Sequence, residues 1–432
     1  MRRRVAGLVL VLWMFGGGRA AVRCGGPAWA EEARALQLGE YIDLVERHNL
    51  AYAAQGYDPR IATAQIDIAR IFPDPQLSGG AAALEITRSG YNPTTTLQLE
   101  WPIELGGKRG HRIDVAISQR EVVRAGLADA LRLLRRDAAL DFIEALRVRL
   151  VLERKRQTLE GFRKLVHFNE ESFRAGQVGE IVVVQARVEA RRFAVEVTRA
   201  EADVRAADLQ LALRMGLGAD AALPGEPAAD LRVAPRHFEL AALLATAEEM
   251  RPDVLAARRS QETSERQVGL ARANRWIDVS LTAGWQHGFA GVLPNYPNVP
   301  FDILFFTLGV PLPLSRAYYG ELNAARFGAA QADVRRKAAE QQVAIEVRTA
   351  LARYEGAAAA LGEYSAGLLA DAEKVLAAKL YDYERGGATQ LEVITAQRAV
   401  NDVYLAYFDA LAEHARALVT VQAAAGLWDA PF

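Results

Sequence analysis

The sequence predicts a mixed fold built of two tandem repeats, in which four strands per chain join a shared β-barrel that continues into a long α-helical barrel. Three observations predict it. Proline is absent from Pro102 to Pro224 and again from Pro313 to Pro431. Four short segments alternate apolar and polar residues with a period of two. One motif, Phe173-Arg-Ala-Gly176, returns 210 positions later as Tyr383-Glu-Arg-Gly386.

The chain of 432 residues opens with a segment that does not belong to that fold. Arg2, Arg3 and Arg4 precede an uncharged, mostly apolar run from Val5 to Phe15, and Ala28-Trp29-Ala30 is followed by Glu31 and Glu32. This is the pattern of a secretory signal peptide over 1–30, too short in its apolar part to span a bilayer. The only cysteine, Cys24, lies within it, so the exported chain is expected to hold no internal disulfide. Residues 1–30 carry five arginines and no acid, and their removal takes the formal net charge from −1 to −6. A mildly acidic exported chain is not a nucleic-acid binder in outline. After the signal no uncharged apolar run reaches the ~18 residues of a membrane helix, so any crossing of a membrane falls to strands.

Each half reads as short helices, two strands and two long helices. The first repeat is placed at 31–222, a connector at 223–236 and the second repeat at 237–432. At the 210-residue offset Ile181 meets Leu391, Val183 meets Val393 and Gly216-Leu217 meets Gly426-Leu427. The proline-free stretches are rich in Ala, Leu, Arg, Glu and Val and leave room for long helices at about 108–175, 178–216, 317–385 and 389–427. Gly126, Gly161, Gly356 and Gly362 are the expected bend points.

Strands are expected at about 76–88, 94–105, 276–287 and 301–314. In the second, Leu97, Leu99, Trp101, Ile103 and Leu105 face one way and Thr96, Gln98, Glu100 and Glu104 the other. In the third, Ile277, Val279, Leu281 and Trp285 oppose Asp278, Ser280, Thr282 and Gln286. The fourth presents Leu304, Phe306, Leu308 and Val310, and the first Ala82, Leu84 and Ile86. Such strands suit a half-buried sheet packed on helices. They also suit a barrel wall, because they reach the length that crosses a bilayer at a tilt and carry aromatics near their ends. Four strands cannot close a barrel, whose smallest form has about eight, so the second reading requires several copies.

The segment 181–216 holds two opposed apolar rows, Ile181, Val188, Val195, Ala202, Leu209 and Val183, Ala190, Val197, Val204, Leu211. Two residues turn a helix by ~200°, so the rows lie on opposite sides. A two-helix coiled coil needs one seam; two seams imply neighbours on both sides, as in a helical wall.

These features resemble the TolC-like outer-membrane efflux family. The resemblance is carried by the joints Trp101-Pro-Ile-Glu-Leu-Gly-Gly-Lys-Arg109 and Val310-Pro-Leu-Pro-Leu314 and by the tips Phe173-x-x-Gly176 and Tyr383-x-x-Gly386 followed by Leu391-Glu-Val393. It covers nearly all of the mature chain, and the Gly106-Gly107-Lys108-Arg109 joint is most similar to the heavy-metal branch, the outer-membrane component of cobalt–zinc–cadmium and copper–silver exporters. The resemblance implies a homotrimer in outer-membrane lipid, with a 12-stranded barrel and a periplasmic helical duct. It implies an inner-membrane pump of the resistance–nodulation–division type and a periplasmic adaptor as partners. It places Glu392 at an acidic periplasmic mouth, although the second acid often found three residues on is Thr395 here; an ordinary solvated glutamate is the other reading. It turns the tip residues Gly176, Val178, Gly179, Gly386, Gly387 and Ala388 toward the adaptor, where glycines that merely end helices are the alternative. Leu97, Leu99, Trp101, Ile103, Ile277, Val279, Leu281, Trp285, Phe306, Leu308 and Val310 become the lipid-facing set.

Chemistry-bearing constellations are missing from the sequence. His48, His111, His167, His237, His287 and His414 are far apart, with His287 read as a loop histidine, and there is no nucleophile elbow, phosphate loop or dinucleotide fingerprint. The expectation is a transport protein with no cofactor, no bound metal and no enzyme activity. A general drug or type I secretion duct, and a periplasmic helical scaffold or adaptor, are the rival functions.

Overall fold

The structure, a computed structural model, describes residues 35–84, 92–218, 220–290, 299–312 and 319–429. The expected signal segment with Cys24, and Ile86 of the first expected strand, lie outside them. Chain order is β1 (Ala35–Leu36), α1 (Leu38–His48), α2 (Leu50–Gln55), α3 (Asp58–Ala69), β2 (Gln76–Leu84), β3 (Asn92–Ile103), α4 (Lys108–Arg174) and α5 (Glu180–Arg214). There follow β4 (Glu226–Pro227), α6 (Leu240–Met250), α7 (Pro252–Ala273), β5 (Val279–Ala290), β6 (Val299–Gly309), α8 (Tyr319–Glu363), α9 (Leu369–Glu384) and α10 (Gln390–Ala424). The short pair β1–β4 is parallel and pins the start of the described chain to the connector between its halves.

At 67 residues α4 is unbroken and spans ~100 Å, passing Gly126 and Gly161 without a stop. The corresponding helix of the second half is broken, and not where the sequence suggested. Gly356 and Gly362 lie inside regular helix, while Tyr364–Leu368 forms a π-helical turn in which Gly367 takes φ 130. That backbone angle is open to glycine and strained for other residues, so the chain changes course there.

The long helices pack in the order α5–α4–α10–α8, with α9 on α10; nearer the strands the order is α3–α4–α7–α8. One apolar side of α5 turns inward: Val183, Ala186, Phe193, Val197, Ala200 and Leu211 are buried, with Phe193, Val197 and Ala200 in one cluster with residues of α4 and α10. The other row stays open, with Ile181 65 %, Val188 57 % and Val195 53 % exposed. At the opposite edge α8 likewise exposes Phe327 and Val334. The row of helices therefore ends in two uncovered apolar edges. Its core lies in separate clusters, one around Tyr41, Phe142 and Leu211 and another around Phe162 and Leu165 toward the tips.

The four longer strands form one antiparallel sheet in the order β2–β3–β5–β6, so its two edges are β2 and β6. The central pair β3–β5 joins the two halves of the chain.

Candidate functional site

Cross-strand register decides which residues share a face of the sheet. Leu97 stands opposite Trp285, Leu99 opposite Ala283, Trp101 opposite Leu281 and Ile103 opposite Val279. Leu281 pairs with Leu308, Ala283 with Phe306 and Trp285 with Leu304. Because paired residues lie on the same side, these make one apolar face across three strands, and its side chains are exposed: Leu99 45 %, Trp101 54 %, Phe306 80 %. The other face carries Thr96, Gln98 and Glu100 beside Gln286, Gly284 and Thr282, with Ser78 and Gln76 on β2.

Four details differ from the sequence expectation. On β2, Ala82 pairs with Thr94 and shares the polar face, whereas Leu77 pairs with Leu99 and carries the apolar one; a strand of Gly and Ala has little alternation to read. Ile277 lies ahead of β5 on no strand, because Asp278 ends the ladder: its carboxylate accepts the Leu105 N–H at 3.1 Å and pairs with Lys108 at 2.7 Å. His287 is no loop residue. It sits within β5, where Nδ1 is 3.0 Å from Asp302 Oδ1, and the same oxygen accepts the Trp285 Nε1–H at 3.1 Å. Val310 is exposed and lies one residue past the end of β6.

The polar face is not uniformly polar. Phe305 and Phe301 lie over Gly284 and Gly288, where even a Cβ would collide with the rings. The glycines provide room for aromatics that alternation alone assigns to neither environment.

At the far ends of the helices the two tips share one construction. Gly176 (φ 74) and Gly386 (φ 79) follow the C-caps Ala175 and Arg385. The N–H of Gly176 donates to Phe173 O and that of Gln177 to Ser172 O. Gly386 donates to Tyr383 O and Gly387 to Asp382 O in the same way. These paired bonds are the Schellman arrangement, which needs a left-handed residue at the first position past the cap. Gly179 has an extended backbone (φ −77) and open space around it, so nothing in the fold requires glycine there. Val178 and Ala388 are half-buried, and Gly387 is exposed.

Glu392 lies in the first turn of α10. Its carboxylate accepts the N–H of Thr389 at 2.8 Å, Thr389 Oγ1 accepts the N–H of Glu392, and together they form a capping box. Lys379 Nζ on α9 is 3.3 Å from Oε1. The Thr389 N–H, and then Lys379, hold the carboxyl below the usual carboxylate range. The pattern Thr389-x-x-Glu392 is a capping-box signature that was readable in the sequence; Lys379, thirteen residues away on another helix, was not. On α5, Glu189 pairs with Arg398 and Glu196 with Lys155 at 3.6 Å. Tyr383 Oη donates to Asn169 Oδ1 at 2.7 Å and ties the second hairpin to α4.

Among the described residues no helix is long and apolar enough to cross a membrane, and no three His, Cys, Asp or Glu are placed to hold a metal ion. The sheet is amphipathic with two open edges and is continuous with helices up to ~100 Å long. The profile of the outer membrane efflux protein family matches residues 42–221 and 243–427. The chain belongs to this family. It is 25 % identical over 409 residues to the cobalt-zinc-cadmium resistance protein CzcC of Cupriavidus metallidurans, an overlap covering 92 % of this chain and 89 % of CzcC. The fold is shared with crystal structures of CusC, at 17 % identity and TM-score 0.73 over 93 % of this chain and 94 % of that one. It is also shared with the outer membrane protein VceC of Vibrio cholerae, at 20 % identity and TM-score 0.69 over 90 % and 96 % of the two chains. The resemblance read from the joints and tips thus agrees with the family, which is one of transport channels.

Proposed function

We propose that the chain is the outer-membrane exit duct of a tripartite pump that exports heavy-metal cations. Three copies pool four strands each into a 12-stranded barrel, and their helices form the periplasmic duct. An adaptor docks at the tips and an inner-membrane pump of the resistance–nodulation–division type supplies the cargo. In this arrangement the two tandem halves, 31–222 and 237–432, each give two strands and one long hairpin per copy. The single observation that carries the reading is the pair of matching open edges: β2 and β6 leave the sheet unclosed, and the exposed rows of α5 and α8 leave the helical row unclosed beside it. Unpaired strand edges in lipid are too costly to persist, and copies of the chain itself have the complementary edges. The likeness to CzcC supports the cargo class.

In the same reading the face of Leu97, Leu99, Trp101, Ile103, Val279, Leu281, Trp285, Phe306 and Leu308 meets lipid. Glu392 contributes one carboxylate per copy to the mouth, and Gly176, Val178, Gly179, Gly386, Gly387 and Ala388 form the docking tips. The test is twofold. Light scattering of the detergent-solubilised protein should give a trimer, and deletion of the gene should lower tolerance to cobalt, zinc or cadmium. A monodisperse monomer overturns the barrel. Lost drug tolerance with unchanged metal tolerance replaces the metal cargo by organic compounds.

A further inference from the structure

We propose that the neck between sheet and helices binds the phosphate groups of anionic phospholipids in the leaflet nearest the helices; this rests on the barrel reading above. In each half of the chain one arginine spans the two points where the backbone passes between strands and helices. Arg109, at the start of α4, places its guanidinium 4.1 Å from the ring centre of Phe72 in the α3–β2 segment. Arg275, between α7 and β5, lies 4.8 Å from the ring centre of Tyr319 at the start of α8. Stacking on a ring fixes a guanidinium without neutralising it.

Three other cations of the neck are neutralised. Lys108 pairs with Asp278, Arg112 with Glu104, and Arg70 with Asp67 at 3.1 Å. Arg109 donates Nε–H to the uncharged carbonyl of Arg70 at 2.7 Å. Neither Arg109 nor Arg275 has a carboxylate partner among the described residues, and Asp74, exposed in the same neck, pairs with neither. Two oriented cations per copy therefore stand at the level where the strands end.

Their surroundings identify the occupant. The apolar face of the sheet ends in Trp101, Ile103 and Leu105, and Trp276 beside Gly106 and Phe72 beside Arg109 stand at the same neck, 63 % and 64 % exposed. Exposed aromatics at strand ends mark the membrane–water boundary of a barrel. An arginine fork at that depth faces phosphate oxygens, which it bonds in the bidentate manner. A neighbouring copy is the competing occupant, and it would make the arginines report on trimer stability and not on lipid charge.

The experiment uses purified trimer with Trp285→Phe and Trp428→Phe, leaving Trp101 and Trp276 as the boundary reporters. It is reconstituted in phosphatidylcholine vesicles doped with brominated phosphatidylglycerol or, separately, brominated phosphatidylcholine. Quenching should favour phosphatidylglycerol, by about fivefold in relative affinity for each free guanidinium. Arg109→Gln with Arg275→Gln should abolish the preference, Arg109→Lys with Arg275→Lys should keep most of it, and Arg232→Gln in the connector should leave it unchanged. Equal quenching by the two lipids, or a preference that survives the double glutamine variant, overturns the proposal while the barrel stands. Absence of quenching by either lipid removes the barrel reading and this proposal with it.

Discussion

Glu392 Oε2 accepts the backbone N–H of Thr389 at 2.8 Å, while its Oε1 faces Lys379 Nζ at 3.3 Å. One carboxylate thus starts the last long helix and ties it to α9. Both contacts favour the charged form, so the group stays ionised down to a pH below the ordinary carboxylate range. The stability it contributes is complete above that range and is lost as pH falls through the depressed folded value.

Cap and mouth roles separate in two variants. Thr389→Ala removes the hydroxyl of the capping box and keeps the charge; Glu392→Gln removes the charge. If Glu392 attracts cations at the mouth, Glu392→Gln lowers cation-over-anion selectivity in planar bilayers and Thr389→Ala leaves it alone. Equal selectivity in both variants and the wild type reduces Glu392 to a helix cap.

The register of β3 makes adjacent residues opposite in environment. Leu99 shares a face with Leu77 and Ala283, and Gln98 shares one with Ser78 and Gly284. Leu99→Arg should weaken insertion by about 2–4 kcal/mol if it lies near the bilayer midplane, and Gln98→Arg should insert like wild type. Heat-modifiability on gels and outer-membrane yield read this directly, and similar losses for both would mean that the faces are reversed.

Strand alternation was legible in β3 and β5 because large apolar residues, Leu97, Leu99 and Trp101 or Leu281 and Trp285, alternate with polar ones such as Gln98, Glu100, Thr282 and Gln286. It failed in β2, where Ser78 to Ala82 offer only small side chains and the register is imposed by β3. Proline-free stretches gave the helix lengths, yet Gly356, Gly362 and Gly367 look alike in sequence and only Gly367 leaves the helix. The two apolar rows of α5 were readable; which one packs inside the chain was not, since that depends on α4 and α10. The ion pair Arg398–Glu189 and the stacking of Arg109 on Phe72 join residues far apart in sequence, and no local pattern announces them.

His414 is fully buried on α10, its ring 5.3 Å from that of Tyr354, and neither ring nitrogen has a hydrogen-bond partner among the described residues. Burial pushes its pKa below the usual histidine value. The unfolded chain therefore takes up a proton below about pH 6.5 that the folded chain resists, and stability falls as pH drops from there toward the folded value. His414→Phe should flatten this part of the profile. Thermal melts at pH 7.5 and pH 5.5 check it: the loss on acidification should be smaller in the variant, and an equal loss places the acid sensitivity elsewhere.

The tips offer the sharpest test of partner docking, because structure and function make different demands on neighbouring residues. Gly386 occupies a left-handed position that a side chain would strain by about 1 kcal/mol; its replacement confounds folding with docking. Gly179 carries no such constraint: its backbone is extended and a side chain there meets open space. Ala388, half-buried beyond the second cap, has ordinary backbone too. Gly179→Trp and Ala388→Trp should therefore leave helix ends, trimer and membrane insertion intact. If a helical hairpin of the adaptor approaches these tips closely, the indole blocks it, and export-dependent tolerance should fall to that of the deletion strain. Crosslinking to the adaptor should be lost in parallel. Normal insertion with full tolerance in both variants would show that the adaptor binds elsewhere, and that Gly176 and Gly386 serve only to turn one helix into the next.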